Sequence, residues 1–590
     1  MKDFVKMTLA VLCGFFIMWI IGFFLLIGAA GSAAVSGKSK TILPREGVLS
    51  IDCSSFQIQE QSIEDPMNLS SFSPQIVPPV GMWSAVRAIK YAAADPGVKY
   101  IFLRPDGYSG GIAQLQELRK ALSDFRESGK AVVAYTENTD NASYYLATVA
   151  DKIYTVSNHG GMVQLIGMSG RLIFLKDLLD KLGVNYQLIR HGKYKSAGEM
   201  YIKNAPSEEN LEQNKAMISS IWNALSSEMA EARGIDVKDL NALVDGLKLN
   251  FPEDLLEAGL VDEMLDHEGL VKKLCDLAVV EKSEDLHLIP FADYVQARAA
   301  EPISGNVAIL FADGQIIEGK EETQVAGNRF VRMIDEIRKD DKIKAVVLRV
   351  NSPGGSVLAS SKIRSALDLL AEEKPLVASY GNYAASGGYW ISNGCQKIFS
   401  NPATLTGSIG VFSMIPEFSG TAKKVAHVNV VTVGSNKHSD MFSLMRPFSK
   451  EETAYMQAYV EDIYDEFVQL VAKGRDMTPE AVDNIAQGRV WTGSDAVNIG
   501  LVDEIGTLQD AVYYAASLGG FVSESDYSVI SYPKPMNMFD MILSTFGQKN
   551  TEDYVLTGTP FESLGEELRK MTSASPTQVY ATIPYCIDIQ

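Results

Sequence analysis

The chain contains itself twice, and the two copies part company at one serine. Val346-Val347-Leu348-Arg349 runs into Asn351-Ser352-Pro353-Gly354-Gly355-Ser356. Earlier, Ile101-Phe102-Leu103-Arg104 runs into Pro105-Asp106-Gly107-Tyr108-Ser109-Gly110-Gly111. Asp151-Lys152-Ile153-Tyr154 answers Gln396-Lys397-Ile398-Phe399, and Gly259-Leu260-Val261-Asp262-Glu263 answers Gly500-Leu501-Val502-Asp503-Glu504. The matches keep their order at an offset of about 241 to 245 residues, a period too long for a solenoid and right for two duplicated domains.

A chain of 590 residues has room for both copies with full cores. Its net charge of -20 argues against nucleic acid as a partner, because phosphate binding needs basic surface. The five cysteines (Cys13, Cys53, Cys275, Cys395 and Cys586) are scattered and odd in number, without CxxC spacing. They make neither a disulfide framework nor a metal site, and Cys395 reads as a small buried hydrophobe. No cofactor is expected.

Thr8 to Ala30 carries no charge. A run of that length spans a bilayer as a helix, for which about 20 apolar residues suffice. A cleavable signal has a shorter apolar region of about 7–15 residues, although Gly31-Ser32-Ala33-Ala34 leaves cleavage open. The expected arrangement is a cytoplasmic tip at 1–7, a single transmembrane anchor at 8–30 and a stalk at 31–46. Everything beyond would lie outside the cytoplasm.

Each copy alternates β-rich apolar runs with amphipathic helical segments. In the second copy, Val307 to Phe311 and Ala345 to Leu348 read as buried strands. Phe330 to Lys339 and Ser361 to Glu373 read as helices between strands. That alternation predicts βαβ units around a largely parallel sheet. The first repeat is expected over 47–300, with a break at Glu301 to Gly305, and the second over 305–522. The extension 523–590 shows no counterpart in the first repeat and receives no role.

The chemistry gathers between Leu348 and Gly410. The glycines of Asn351-Ser352-Pro353-Gly354-Gly355-Ser356 let a ligand approach the backbone, so that N–H groups can point at an anion or oxyanion. A tight strand-to-helix turn would use the same residues. Further on, Pro375 to Tyr380 leads into Ala384-Ala385-Ser386-Gly387-Gly388-Tyr389-Trp390, placing Ser386 at a helix start among small residues that leave its hydroxyl accessible. Capping is the ordinary duty of such a serine, but the glycines after it favour a nucleophile. A serine needs a base. None of the six histidines (His159, His191, His267, His287, His427 and His438) sits in a recognisable triad context. The other possibility is a lysine kept neutral by desolvation.

Together with Leu405-Thr406-Gly407-Ser408-Ile409-Gly410, these segments resemble the three signatures of the signal peptide peptidase A (protease IV) family, in its long two-repeat form. The resemblance runs from the anchor to about residue 520. It implies an α/β fold of two tandem ClpP/crotonase-like domains and a membrane-anchored serine endopeptidase with a Ser-Lys dyad. Gly192-Lys193-Tyr194-Lys195-Ser196-Ala197 is similar to the segment that carries the general base in the long form. Residue by residue, Ser386 matches the nucleophile, Lys195 the base and Ser408 the serine that orients that lysine. Gly355 and Gly387 match the oxyanion hole. Lys193 is given no role, and Tyr389 and Trp390 are expected to pack the active helix.

The resemblance further implies apolar peptide substrates, chiefly cleaved signal peptides, and a homotetramer with the sites on its inner wall. It places the repeats on the periplasmic side of a bacterial inner membrane. Two other classes remain: a crotonase-type acyl-CoA enzyme and an inactive membrane scaffold. In the first repeat Asn141, Ala142 or Ser143 stands opposite Ser386, with tyrosines where glycines would be needed, so Ser143 is not expected to serve as a second nucleophile. Lys437 stands opposite Lys195 and is expected to be vestigial or structural.

Overall fold

The apolar runs of each copy become a parallel sheet, as near-continuous hydrophobic strands covered by helices on both faces should. The computed structural model describes residues 43–61, 77–299, 304–321, 323–534 and 580–582, with the isolated positions 14, 18 and 302. The expected anchor at 8–30 otherwise lies outside these residues. No helix among the described residues is long and apolar enough to cross a membrane.

In the first sheet the strands lie in the order Glu263–Leu265, Lys152–Val156, Val132–Thr136, Val98–Arg104, Gly47–Asp52, Leu288–Pro290. In the second, the corresponding path is Glu504–Ile505, Ile398–Ser400, Leu376–Ala385, Ala345–Ser352, Val307–Asp313, Val529–Tyr532. Every neighbouring pair along both paths is parallel. The second sheet adds Leu405–Gly407 beside Leu376–Ala385 and then Val490–Thr492, antiparallel, but along these six-strand paths the duplication is repeated strand for strand. It also corrects one expectation: Val529–Tyr532 lies within the extension assigned no counterpart, yet it takes the edge place that Leu288–Pro290 takes in the first repeat. The helix expected from Ser361 begins instead at Val357, because the Ser356 hydroxyl caps it by accepting from Ala359 N at 3.2 Å.

A third sheet fastens the repeats together. Its order is Val325–Ala326, Ile316–Ile317, Gly354–Ser356, Tyr580–Thr582, Val411–Glu417, Asn185–His191. The last strand comes from the first repeat. It runs antiparallel to Val411–Glu417 in unbroken register from Val411 opposite His191 to Glu417 opposite Asn185. The cores interpenetrate accordingly. Ala385, Ala403, Leu405 and Val490 pack into the first repeat's core, and Ile189 packs into the second's.

Candidate active site

The strand Leu376–Ala385 ends in Ser386, which turns the chain into the helix Gly387–Ser392. Ser386 makes that turn at φ 56 and ψ -112. A side chain held at positive φ stores backbone strain, which persists only where its surroundings fix it. Here Ser386 N donates to Gly407 O at 2.8 Å, and Trp390 N donates to Ser386 O at 2.8 Å. The short helix is pinned from below. Tyr389 Oη donates to Leu501 O at 2.8 Å, and Trp390 packs against Phe467 with ring centroids 4.6 Å apart and the planes tilted by 44°.

Lys195 arrives from the other repeat. It follows the strand Asn185–His191, whose pairing with Val411–Glu417 sets the loop 192–198 against the second repeat. Its Nζ lies 2.8 Å from Ser386 Oγ, 3.0 Å from Ser408 Oγ and 3.1 Å from Ser408 O. Sequence reasoning expected an accessible hydroxyl. Instead Ser386 is 0% exposed and Lys195 2%, because the lysine and the third sheet close over the serine. Burial alone holds the Lys195 ammonium well below the ordinary lysine range, and no carboxylate contributes. Nζ donates to all three of these oxygens, the Ser386 and Ser408 hydroxyls and the Ser408 carbonyl.

The glycine strand Gly354–Ser356 lies beside this pair. Gly354 has φ 102, and a Cβ there would stand 2.7 Å from Gly387 N and 1.9 Å from Ala581 O. A Cβ on Gly387 would stand 3.1 Å from Gly355 N. The amides expected to form an oxyanion hole are therefore neighbours, in a place that admits no side chain. Tyr580–Thr582 runs antiparallel along this strand, with Ala581 opposite Gly355.

The other named residues are placed elsewhere. Tyr144 Oη donates to Leu260 O at 2.9 Å, as Tyr389 does to Leu501, which sets Asn141 opposite Ser386. The Ser143 hydroxyl is buried in the start of its own helix, accepting from Asp140 N at 2.8 Å. Lys437 is exposed and pairs with Glu451, while Lys193 lies 5.0 Å over the Tyr194 ring. His191 stacks on Tyr464, His438 meets Glu452 at 2.9 Å, and His159 meets Glu253 at 3.0 Å.

One cluster had no sequence signature of its own. Arg349, wholly buried, donates to Glu60 Oε2 at 2.8 Å and lies 2.8 Å from Glu117 Oε1. It also donates to Ser379 Oγ at 2.9 Å and to Tyr380 O at 3.0 Å. Burial pushes Glu117 above the usual carboxylate range. Burial, reinforced by Glu60, pushes nearby Asp313 up to about 6. The repeat alignment pairs Arg104 with Arg349, but both carboxylates come from the opposite repeat, so no local spacing announces them.

The chain is 34% identical to Protease 4 of Haemophilus influenzae, over 84% of this chain and 83% of that one. Against Protease 4 of Salmonella typhi the identity is 33%, over 94% and 89%. The chloroplastic serine protease SPPA of Arabidopsis thaliana is 29% identical, over 77% and 68%. A solved ClpP1 from Listeria monocytogenes is 15% identical over 35% of this chain and 94% of its own, with a TM-score of 0.23. The profile of peptidase family S49 matches residues 124–281 and 368–521, one stretch in each repeat. With both repeats matched, and relatives similar along most of its length, the chain is a serine peptidase belonging to peptidase family S49.

Proposed function

We propose that this peptidase cleaves apolar peptides, signal-peptide remnants among them, with Ser386 as nucleophile and Lys195 as general base. The observation that carries the reading is the 2.8 Å approach of Lys195 Nζ to Ser386 Oγ across the repeats, with no histidine or carboxylate at either atom among the described residues. The neutral amine accepts the serine proton as Oγ attacks the scissile carbonyl. The resulting ammonium donates that proton to the leaving amine, and a water then repeats the cycle on the acyl-enzyme. Ser408 holds the amine through its hydroxyl and carbonyl. The amides of Gly355 and Gly387 receive the oxyanion, a contribution of about 2.7–4 kcal/mol per donor.

The substrate is taken as an extended strand along Gly354–Ser356, the pairing that Tyr580–Thr582 of the chain itself adopts. The run from Thr8 to Ala30 anchors the enzyme in a bacterial inner membrane, with both repeats on the periplasmic side. Copies assemble into a ring, expected as a tetramer, through the strand pairing that joins the repeats. The second repeat's counterpart of Asn185–His191 contains Val428, Val430, Val431 and Val433, which are exposed and make no strand pairing. In the first repeat, the counterpart of Val411–Glu417 exposes Ile173.

The test is labelling of the membrane-embedded protein by a serine-directed fluorophosphonate, with hydrolysis of an apolar fluorogenic peptide. Both should vanish in Ser386→Ala. Labelling that survives in that variant would sink the assignment. A Val431→Asp variant should lower the mass of the solubilised protein, and an unchanged mass would remove the proposed ring contact.

A further inference from the structure

Ser386, Ser408 and Lys195 leave one neighbour of the site unexplained, the turn Ala486 to Arg489. It joins the helix Pro479–Ile485 to the strand Val490–Thr492, and two successive residues are left-handed, Gln487 at φ 54 and Gly488 at φ 79. The turn is held from behind. Gln487 N and Nε2 donate to Tyr464 Oη at 3.3 and 3.2 Å, and Gly488 N donates to Ile409 O at 2.7 Å. Tyr464 in turn stacks on His191, which directly precedes the lysine loop, with ring centroids 3.8 Å apart.

Its front surface grips both sides of the site. Tyr194 N donates to Gln487 O at 2.9 Å, and Ser408 N donates to Arg489 O at 2.7 Å. Ser408 Oγ lies 3.4 Å from Gly488 O. A Cβ on Gly488 would stand 2.6 Å from both the N and the Cβ of Lys195 and 2.7 Å from its Cα. Real Cβ atoms do not come that close to backbone, so the lysine's main chain rests on the bare α-carbon.

The first repeat supplies an internal control. The helix starts that follow, capped at Phe251 and Thr492, align the repeats so that Leu247 stands opposite Gly488. Leu247 is also left-handed, at φ 48, and its side chain is 65% exposed. Gly246 before it is right-handed, at φ -81, where Gln487 is left-handed, but the first repeat's turn does hold a left-handed leucine with no lysine against it. Backbone conformation alone does not demand glycine at 488. The lysine does.

We infer that Gly488, in the turn clamped by Tyr464, is a positioning residue: it sets the depth at which Lys195 enters the second repeat and so its reach to Ser386. This rests on the dyad reading. Other charged groups at the loop are engaged away from Nζ. Arg190 donates to Lys195 O at 2.7 Å and pairs with Glu199 at 3.3 Å, and Arg489 pairs with Glu212 at 3.1 Å. A displaced Lys195 would gain water and hold its proton more tightly.

The experiment is the pH–rate profile of full-length Gly488→Ala on the apolar fluorogenic peptide, beside Lys195→Ala and Leu247→Ala, with thermal unfolding of each. Gly488→Ala should lower kcat at least about tenfold and move the rising limb of the profile to higher pH, with KM changed by less than about twofold. Leu247→Ala should keep the parent profile. If Lys195→Ala is inactive while Gly488→Ala keeps the parent kcat and limb, the positioning role falls and the dyad stands. If Lys195→Ala keeps its activity, the dyad itself falls. Should Gly488→Ala not fold, Tyr464→Phe releases Gln487 without adding an atom. Its limb should shift the same way by a smaller amount, and an unmoved limb would overturn the inference.

Discussion

The two repeats share six strands of their parallel sheets in the same order, yet they differ at Ser386, Arg349 and Gly488. Where the second repeat turns at Ser386 into two glycines, the first has Asn141, which hydrogen-bonds Gly167 N at 3.1 Å, and then Ala142 and Ser143. Where Arg349 is buried between two carboxylates, Arg104 stays half-exposed beside Asp52 and Glu137. Where Gly488 lies under Lys195, Leu247 faces solvent. Apolar patterning is enough to keep a sheet through divergence. A site needs a handful of particular atoms, and those are lost one residue at a time.

The largest effect should separate the two serines. Ser386→Ala should lower peptide turnover by about 10⁴-fold or more, the scale on which catalytic serines act. Ser143→Ala should leave turnover unchanged, since its hydroxyl only closes a helix start. Turnover lost in both variants would mean the first repeat contributes chemistry. The lysines come next. Lys195→Ala should match Ser386→Ala, whereas Lys437→Ala should behave as the parent, because Lys437 is exposed beside Glu451. The reverse result would place the dyad within one repeat.

Stability should divide the arginines. Arg349→Ala strands Glu60 and Glu117 in the core and should cost about 3–5 kcal/mol in unfolding free energy, as breaking a buried ion pair does. Arg104→Ala removes a surface pair and should cost about 1 kcal/mol or less. Equal losses in urea titrations would show that the buried cluster does not tie the repeats together.

The smallest effects concern protons. The base acts unprotonated, so the rate should rise with pH through the depressed titration of Lys195. A rate that fell steadily from neutral to alkaline pH would contradict a lysine base. The linkage has a definite sign. Between the folded and unfolded pKa values the unfolded chain binds one more proton, so Lys195 costs stability at neutral pH and the cost fades as pH approaches the ordinary lysine range. Lys195→Met should therefore raise the melting temperature at neutral pH, with a gain that shrinks at alkaline pH. A gain independent of pH would point to packing instead of charge.

Much of this was legible from residues alone. The near-constant offset foretold two like sheets, because buried parallel strands read as continuous apolar runs such as Ala345 to Leu348. Ser386 stood out because glycines follow it, and Lys195 through its family motif. What stayed hidden depends on distance along the chain. Glu60 and Glu117 meet Arg349 from the other repeat, and neither has a motif that announces an ion pair. The burial of Ser386 follows from a lysine 191 positions earlier in the sequence. Val529–Tyr532 escaped notice because four residues at a sheet edge are too short to show a repeat.

That same separation of 191 positions gives the enzyme a clock. At about 5–20 residues per second, a ribosome releases the lysine roughly 10 to 40 seconds before the serine. Through that interval the emerging chain holds an amine with no hydroxyl to activate. On the proposed dyad, even a finished chain needs Asn185–His191 paired with Val411–Glu417 to bring the two side chains together. With that dyad, catalysis waits until both halves of the chain have been made and paired.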